Sequence, residues 1–329
     1  MASRRFGLLG LVVAIVLVWS LWKPFRGPRR DINFNYGLLR HSDHPRYAIA
    51  TFLSENTDHA RDEDYYFIAT RILTYQLLHD PKTKCTHDDI PFLVVVTKDV
   101  SQEKRDRLTR DGATVVEVED VPLHWWIRTG VTRWKDQFTK LRILQLTEFD
   151  RVLFIDADTI LTRPIDEIFE QECVEPSTTL FRERPDQVLA DEAQPPAQYV
   201  FCARSDNALA GERNHPFPPN KTDVFSAGFW MAAPSEELYE YLMSVTGHYR
   251  RFDPTTMEQS LLNYAFRRDG AMPWKELDYH WSATWPGIQD LEGNVASLHE
   301  KLWKTGPGQL RAMWWDLKRA MENYYEKQG

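Results

Sequence analysis

Cysteine is scarce in this sequence. Among the 329 residues are three cysteines, Cys85, Cys173 and Cys202. Three are too few for a disulfide framework, and no two of them have the spacing of a zinc site. At most one disulfide can form within the chain, so the cysteines do not identify the cellular compartment.

Acidic residues are absent from the first 30 positions, which contain six basic residues. The other 299 residues carry 34 positive and 48 negative charges, a net charge of −14. An acidic body without a basic excess argues against nucleic-acid binding. A hydrophobic content of 43% and a charged content of 27% argue against disorder. We therefore expect a folded body that does not bind nucleic acid.

The acid-free region contains an apolar run from Phe6 to Trp22, interrupted only by two glycines and one serine. As a helix these 17 residues span about 25 Å, the short end of what crosses a bilayer. A cleaved signal peptide is the alternative, but this run ends in bulky residues where a signal peptidase requires small ones. We therefore predict an uncleaved signal-anchor within residues 1–30 and a stem over residues 31–46. The short span suits membranes of the early secretory pathway.

Charge alone leaves the topology of this anchor open. Two arginines precede the apolar run and four basic residues follow it, so the positive-inside rule would leave the body in the cytosol. Against this stands the sequon Asn220-Lys221-Thr222, which has meaning only for a lumenal domain.

Short apolar runs alternate with amphipathic segments from Tyr47 onwards. The predicted strands cover 47–53, 92–97, 114–118, 151–156 and 229–233, and the predicted helices 64–78, 101–111, 134–149, 234–246, 257–266 and 309–325. This alternation predicts an α/β fold with a mostly parallel sheet that binds ligands at the carboxyl ends of its strands. We expect one domain over 47–329, in which a proline-rich insertion at about 183–223 forms loops near the site.

Two carboxylates follow the strand that ends in Ile155. Asp156 and Asp158 lie on the same side of an extended backbone. Such a pair suits a divalent cation that holds a diphosphate and stabilises its charge as it leaves. Haloacid-dehalogenase-like phosphatases also place Asp-x-Asp after a strand and use the first aspartate as the nucleophile. Ile160 stands where they prefer Thr or Val, and about a hundred residues of α/β pattern precede the motif here, so the phosphatase prediction is the weaker alternative.

A resemblance to a known family extends from about Tyr47 to Trp303. The segments Phe138–Arg142 (FTKLR) and Leu146–Asp158 (LTEFDRVLFIDAD) resemble the glycogenin-like family 8 glycosyltransferases, in particular their fungal membrane-anchored members. The resemblance implies a GT-A fold, a UDP-sugar donor (glucose or N-acetylglucosamine), Mn²⁺, and transfer with retention to a glycan or glycoconjugate. It also implies a single-pass type II protein of the Golgi or ER membrane with a lumenal catalytic domain.

The same resemblance implies a set of metal ligands. Asp156 and Asp158 match the metal-binding pair, with Ala157 between them at the donor. His299 matches the third ligand, and a neutral imidazole beside two carboxylates suits Mn²⁺ better than Mg²⁺. Lys304 resembles the lysine that grips the diphosphate, but the usual glycine in that segment is missing, which leaves Lys301 as an alternative.

Donor-binding residues follow from further matches. Thr51, at the end of the first strand, resembles the residue that opens the uridine pocket. Tyr65 resembles the tyrosine that stacks on uracil, and the adjacent Tyr66 is the alternative. Lys140 matches a helix lysine that contacts the donor and is also a candidate catalytic residue. Ser226 and Gly228 match a family turn in which Asn is usual at the first position, so the identity of the sugar is open.

Glu258 and Gln259 match a helix start that carries Asp-Gln in the family, and both are candidate catalytic residues. For Gln259 a structural role is an equal alternative. Retention requires either a covalent intermediate or attack on the face that the leaving group vacates. Glu258 is the matched carboxylate for the first route. We favour the second, in which the leaving phosphate accepts the acceptor's proton.

The last third of the sequence is rich in tryptophan, and most of these residues are expected in the core. Trp281 and Trp285 lie in a polar segment and are the candidates for contact with an acceptor sugar. Two other hypotheses fit the family motifs. One is self-glucosylation as in glycogenin, which is normally a soluble cytosolic protein. The other is a protein that binds a sugar nucleotide without turnover.

Overall fold

The computed structural model describes residues 46–55, 63–128, 136–207 and 213–328. The described strands are β1 (Tyr47–Leu53), β2 (Phe92–Thr97), β3 (Thr114–Val118), β4 (Arg151–Ile155), β5 (Thr159–Leu161), β6 (Ser177–Thr178), β7 (Gln198–Tyr199), β8 (Phe201–Ser205), β9 (Phe225–Ala232), β10 (Lys275–Glu276), β11 (Ala283–Thr284) and β12 (Ser297–His299). The described α-helices are α1 (Tyr65–Leu78), α2 (Gln102–Arg110), α3 (Glu236–Thr246), α4 (Glu258–Ala265), α5 (Ile288–Glu292) and α6 (Gly308–Glu326). Short 3-10 helices cover Asp136–Gln145, Asp166–Glu170, Glu172–Val174, Pro185–Gln187 and Pro254–Thr256.

None of the helices in these ranges combines the length and the apolar character that crossing a membrane requires. The predicted signal-anchor, residues 1–30, lies outside the described residues, as does nearly all of the predicted stem, residues 31–46.

Seven strands form a central sheet in the order β10-β8-β9-β4-β1-β2-β3. β1 pairs in parallel with β2 and β4, β2 in parallel with β3, and β8 in parallel with β10. β9 pairs antiparallel with both β4 and β8, so it runs against the other six described strands. The sheet is therefore mixed, and its one reversed strand brings the first residues of β9 to the carboxyl end of β4.

The predicted bounds of β1, β2 and β3 agree with the structure. β2 is buried along its whole length, and β1 is buried except at its first residue. Strands covered on both faces read as continuous apolar runs, which explains why these segments were recognisable from sequence. Helix α1 covers one face and contacts the C-terminal helix α6 through Tyr75 and Tyr324, whose ring centroids are 5.4 Å apart.

Two predictions are wrong in the type of structure, and the predicted strand 229–233 begins earlier, at Phe225. Residues 136–145 form a 3-10 helix instead of the predicted α-helix over 134–149, whose first two residues lie outside the described ones. In the predicted loop insertion at 183–223, residues 201–205 form the buried strand β8 of the central sheet. Arg204 and Ser205 interrupt the apolar pattern of β8, and Glu276 on β10 binds both, through Arg204 Nη1 at 2.8 Å and the Ser205 backbone N–H at 2.9 Å. Local periodicity does not show such a long-range pairing.

Candidate metal centre and active site

Asp156 and Asp158 lie where β4 ends at the carboxyl edge of the sheet. The backbone N–H of Asp156 donates to the carbonyl of Gly228 on β9 at 2.8 Å. The chain then turns over the buried Ala157 and continues as β5 from Thr159. Both carboxylates are therefore held between the central sheet and a smaller three-stranded sheet, β11-β12-β5.

His299 ends β12, the middle strand of the smaller sheet. β12 pairs antiparallel with β5, and His299 lies opposite Thr159 in that register. Its Nε2 lies 3.0 Å from Asp158 Oδ1 and 3.6 Å from Asp156 Oδ2. Each of the three residues offers a ligand atom, and all three atoms lie within 4.8 Å of one another. Two carboxylate oxygens and one imidazole nitrogen at this spacing fit a divalent cation such as Mn²⁺.

Gly228 makes room for this arrangement. A β-carbon built on Gly228 would lie 2.6 Å from Nδ1 of His299, closer still to Cε1, and 3.0 Å from Asp156 Oδ2. Any side chain would therefore displace two of the three candidate ligands. The neighbours that require a glycine here are side chains of the protein itself.

Lys140 connects the metal cluster to helix α4. Its Nζ donates to Asp156 Oδ1 at 2.7 Å and to Glu258 Oε1 at 3.0 Å. Lys140 is 4% exposed and Glu258 3%. Burial lowers the pKa of the Lys140 amine, but the two carboxylates outweigh burial, and the pKa ends above its ordinary value. Lys140 is therefore charged, and it orients Asp156.

Glu258 stands at the first turn of α4. Burial raises the pKa of its carboxyl, and the positive charge of Lys140 offsets this only in part. Its second oxygen, Oε2, is buried and has no hydrogen-bond partner among the described residues. The structure thus brings Glu258 into the cluster through Lys140.

The electrostatics of the ligands are dominated by their neighbours. Burial raises the pKa of Asp158, but the charges of His299, Lys301 and Lys140 outweigh it and lower that pKa to about 2. Lys301 and Lys304 are both exposed. Of these two candidates for the diphosphate, Lys301 is the one whose charge acts on the pKa of Asp158.

Gln259 bridges α4 and β9. Its Oε1 accepts from the backbone N–H of Ala227 at 3.0 Å, and its Nε2 donates to Oδ2 of the buried Asp206 at 3.1 Å. The sequence pattern did not single out Asp206, which follows β8. Ser226 is buried, and its Oγ accepts from the Gly228 N–H at 3.3 Å. Gln259 and Ser226 thus hold the backbone that carries Gly228.

The residues matched to the nucleotide lie on β1 and α1. Thr51 is fully buried, and its hydroxyl has no hydrogen-bond partner among the described residues. Tyr65 stacks on Trp303 with centroids 6.0 Å apart, and Tyr66 meets the same ring edge-on at 5.3 Å. Both tyrosines are half-buried and contact the segment that follows His299.

Trp281 and Trp285 differ in exposure. Trp281 is 5% exposed, with the guanidinium of Arg163 4.8 Å from its ring centre, so its prediction as an acceptor contact is wrong. Trp285 is 42% exposed.

The sequon residue Asn220 is exposed, and its backbone carbonyl accepts from Asn207 Nδ2 at 3.0 Å.

Comparisons with known proteins place this architecture. No protein-family profile matches the chain. The uncharacterized protein C4C3.09 of Schizosaccharomyces pombe is 30% identical over 300 residues, which cover 82% of this chain and 78% of that protein. Galactinol synthase 4 of Arabidopsis thaliana is 28% identical over 131 residues, 40% of this chain and 35% of that protein.

Among solved structures, the galactosyltransferase LgtC in complex with donor and acceptor sugar analogs matches with a TM-score of 0.50 at 14% identity. The match covers 83% of this chain and 95% of LgtC. The mixed α/β sheet with its aspartate pair at the end of β4 therefore has a glycosyltransferase fold. The chain belongs to the same family as the Schizosaccharomyces pombe protein C4C3.09.

Proposed function

We propose that this protein is a retaining glycosyltransferase that transfers a sugar from a UDP-sugar to a glycan or glycoconjugate and depends on Mn²⁺. The observation that carries the proposal is the cluster of Asp156, Asp158 and His299 at the carboxyl end of β4. Ligands of α/β sheets bind at this edge. The names of related proteins, galactinol synthase and galactosyltransferase, support a hexosyl donor. Glucose and N-acetylglucosamine are the donors we expect.

The three ligands would hold the metal, which when bound supplies Lewis-acid stabilisation of the leaving diphosphate. A nitrogen ligand beside two carboxylates favours Mn²⁺ over Mg²⁺. Lys140 contributes by orienting Asp156, since its ammonium donates to Oδ1 and leaves Oδ2 on the side of His299. Lys301 and Lys304 are exposed and would meet the diphosphate from the solvent side.

The environment of Glu258 supports a mechanism in which the acceptor attacks the anomeric carbon on the same face from which the leaving diphosphate departs. A nucleophile for a covalent intermediate must be an ionised carboxylate free to reach the anomeric carbon. Glu258 is buried, its pKa is raised, and one of its oxygens is bound by Lys140. Its role in the proposal is electrostatic, through Lys140, while the leaving phosphate oxygen accepts the proton of the acceptor hydroxyl. The protein then acts mainly by positioning and fixed charge.

The test uses the full chain in detergent with Mn²⁺ and a panel of UDP-sugars, and it measures UDP release and sugar transfer. We expect activity with at least one hexose donor and at least a 100-fold loss in Asp158→Asn. The control is Asp269→Asn, which makes the same chemical change at a side chain that is 87% exposed. Full activity in Asp158→Asn would refute the metal assignment. A wild-type chain that binds UDP but turns over no donor would refute the enzyme proposal.

We further propose a single-pass type II protein of the Golgi or ER membrane with this domain in the lumen. The apolar run at 6–22 and the exposed sequon at Asn220 support it. In cells, Asn220→Gln should remove an endoglycosidase-sensitive mass shift. Asn214→Gln, at an exposed asparagine outside any sequon, should keep the shift. Access of protease to the domain from the cytosolic side of sealed vesicles would contradict this topology.

A further inference from the structure

Trp285 is an exposed indole directly beside a candidate metal ligand. Three large hydrophobic side chains are exposed among the described residues: Trp125, Tyr249 and Trp285. Trp285 follows β11, where Thr284 lies opposite His299 in the register with β12. Its backbone N–H donates to the carbonyl of His299 at 3.3 Å. This exposed ring is therefore tied to the strand that carries the metal ligand.

The backbone of Trp285 is held in an unfavourable conformation. Its φ is +55°, in the left-handed region that bulky residues rarely occupy. Such a conformation is unfavourable for a bulky residue and persists only where the surroundings impose it, often at ligand sites. An indole placed on the surface at this cost is a candidate for a binding role.

Arg213, itself paired with Glu300, lies over the ring. The guanidinium carbon of Arg213 lies 5.4 Å from the centre of the Trp285 ring. Both terminal nitrogens of Arg213 bind Glu300, with Nη2 2.7 Å from Oε1 and Nη1 bound to Oε2. Glu300 is 6% exposed, and its backbone N–H donates to the carbonyl of Asp158 at 3.0 Å. Gln289 Nε2 donates to the Arg213 carbonyl at 3.1 Å.

One side of the indole is thus occupied by a guanidinium, and the exposed part is the surface that Arg213 leaves uncovered. Because Glu300 already neutralises Arg213, this surface presents an apolar ring rather than an anion-binding charge. The axial C–H groups of a pyranose pack well on such a ring, since their partial positive charge meets the negative face of the π-system. A ring fixed before binding also loses little entropy when the ligand arrives.

The position of Trp285 separates it from the nucleotide residues. β5 is the strand bound to α1, through hydrogen bonds of Gln76 to the Leu161 carbonyl at 2.8 Å and N–H at 3.0 Å. β12 lies between β5 and β11, so Trp285 follows the strand that flanks β12 on the side opposite to β5. The helix α1 carries Tyr65, the residue matched to uracil. Trp285 is therefore assigned to the acceptor and not to the nucleotide.

We infer that Trp285, backed by Arg213 and Glu300, is the acceptor subsite and stacks on a neutral pyranose ring. This inference rests on the proposed function, because a site is an acceptor subsite only if the protein transfers a sugar. The stacking itself can be measured without turnover, so the two claims can fail separately.

The experiment is saturation-transfer difference NMR on the full chain in detergent with Mn²⁺ and UDP. The probes are neutral disaccharides: lactose, maltose, cellobiose and mannobiose. We expect saturation of the axial ring protons of at least one probe, a loss of at least fivefold in Trp285→Ala, and recovery of most of the signal in Trp285→Phe. The control is Trp125→Ala, which removes an indole that is 75% exposed and stacks on Tyr249, with ring centroids 5.7 Å apart.

Equal signals in wild type and Trp285→Ala would overturn the inference, as would an equal loss in Trp125→Ala or the absence of signal from every probe. UDP affinity is measured on the same samples. A matching loss of UDP affinity in Trp285→Ala would assign the indole to the nucleotide and also overturn the inference. If no UDP-sugar is turned over, but the disaccharide signal still depends on Trp285, the proposed function fails and the sugar subsite stands.

Discussion

The Cα of Gly228 faces the imidazole of His299 so closely that a β-carbon there would lie 2.6 Å from Nδ1. These residues come from different sheets, Gly228 from the reversed strand β9 and His299 from β12. Their contact brings the imidazole against the two aspartates. The metal cluster therefore depends on a position that contributes no ligand atom.

Gly228→Ala should weaken Mn²⁺ binding about 10- to 100-fold, because the added methyl pushes the imidazole of His299 away from its position. Loss of a residue that orients a metal ligand typically has an effect of this size. Titration calorimetry measures the affinity, and circular dichroism verifies that the variant folds. Gly308→Ala is the matched control, since a β-carbon at Gly308 meets no atom within 4 Å. Unchanged Mn²⁺ affinity in Gly228→Ala would mean that His299 is not a ligand.

Lys140→Met should lower the free energy of unfolding by about 3 kcal/mol, because it leaves the buried carboxylate of Glu258 and the half-buried carboxylate of Asp156 without their cation. In the double variant with Glu258→Gln the combined loss should be smaller than the sum of the single losses, since the uncompensated charge is removed. Urea denaturation measures each value. The control is Lys318→Met, which breaks the Lys318–Glu322 pair on α6 and should cost about 0.5 kcal/mol or less. Additive losses at Lys140 and Glu258 would contradict the coupling.

The pH dependence of stability should reverse in sign when Mn²⁺ is added. Burial lowers the pKa of His299, but the carboxylates of Asp158 and Asp156 outweigh it, and the pKa is raised above 6.5. A raised pKa stabilises the metal-free fold below 6.5, and this contribution is lost as the pH rises through the folded value. Metal binding needs the neutral imidazole, so stabilisation by Mn²⁺ grows over the same pH range.

Melting temperatures with and without Mn²⁺, measured between about pH 5.5 and about pH 8, should diverge as the pH rises. His299→Gln should abolish both trends. At the acidic end, the Asp158 pKa of about 2 means that its contribution is present above 3.8 and is lost as the pH falls towards 2. An Mn²⁺ effect of equal size at both ends of the range would show that no histidine titrates with binding.

Gln259→Glu should destabilise the fold by about 2 kcal/mol, because it places a second carboxylate oxygen against the buried Asp206. Adding Asp206→Asn should restore much of the loss, since the new amide can donate to Glu at position 259. The measurement is the unfolding free energy of the two single variants and the double variant. Rescue would show that Gln259 stabilises the fold through its contact with Asp206. If stability is unaffected while transfer is lost, Gln259 contacts substrate instead.

The elements around the site were predictable where they depend on local pattern. β1 and β2 are largely apolar segments, and burial on both faces makes such strands visible in one dimension. The aspartate pair was recognisable because it follows a strand of the same kind. The 3-10 helix at 136–145 and the strand β8 were mispredicted. In β8, Glu276 binds Arg204 and the Ser205 backbone across more than 70 positions, which a local pattern does not show.

The sequence by itself determined the α/β alternation, the position of Asp156 and Asp158 after β4, and the segment that contains His299. Only the tertiary structure decided that β9 runs against its neighbours, that Gly228 leaves room for His299, and which of two tryptophans is exposed. Lys140 meets Glu258 across 118 positions, and Arg213 meets Glu300 across 87. Such pairs arise because a buried charge must find a partner. The spacing of residues along the chain does not predict which partner the fold brings to a buried charge.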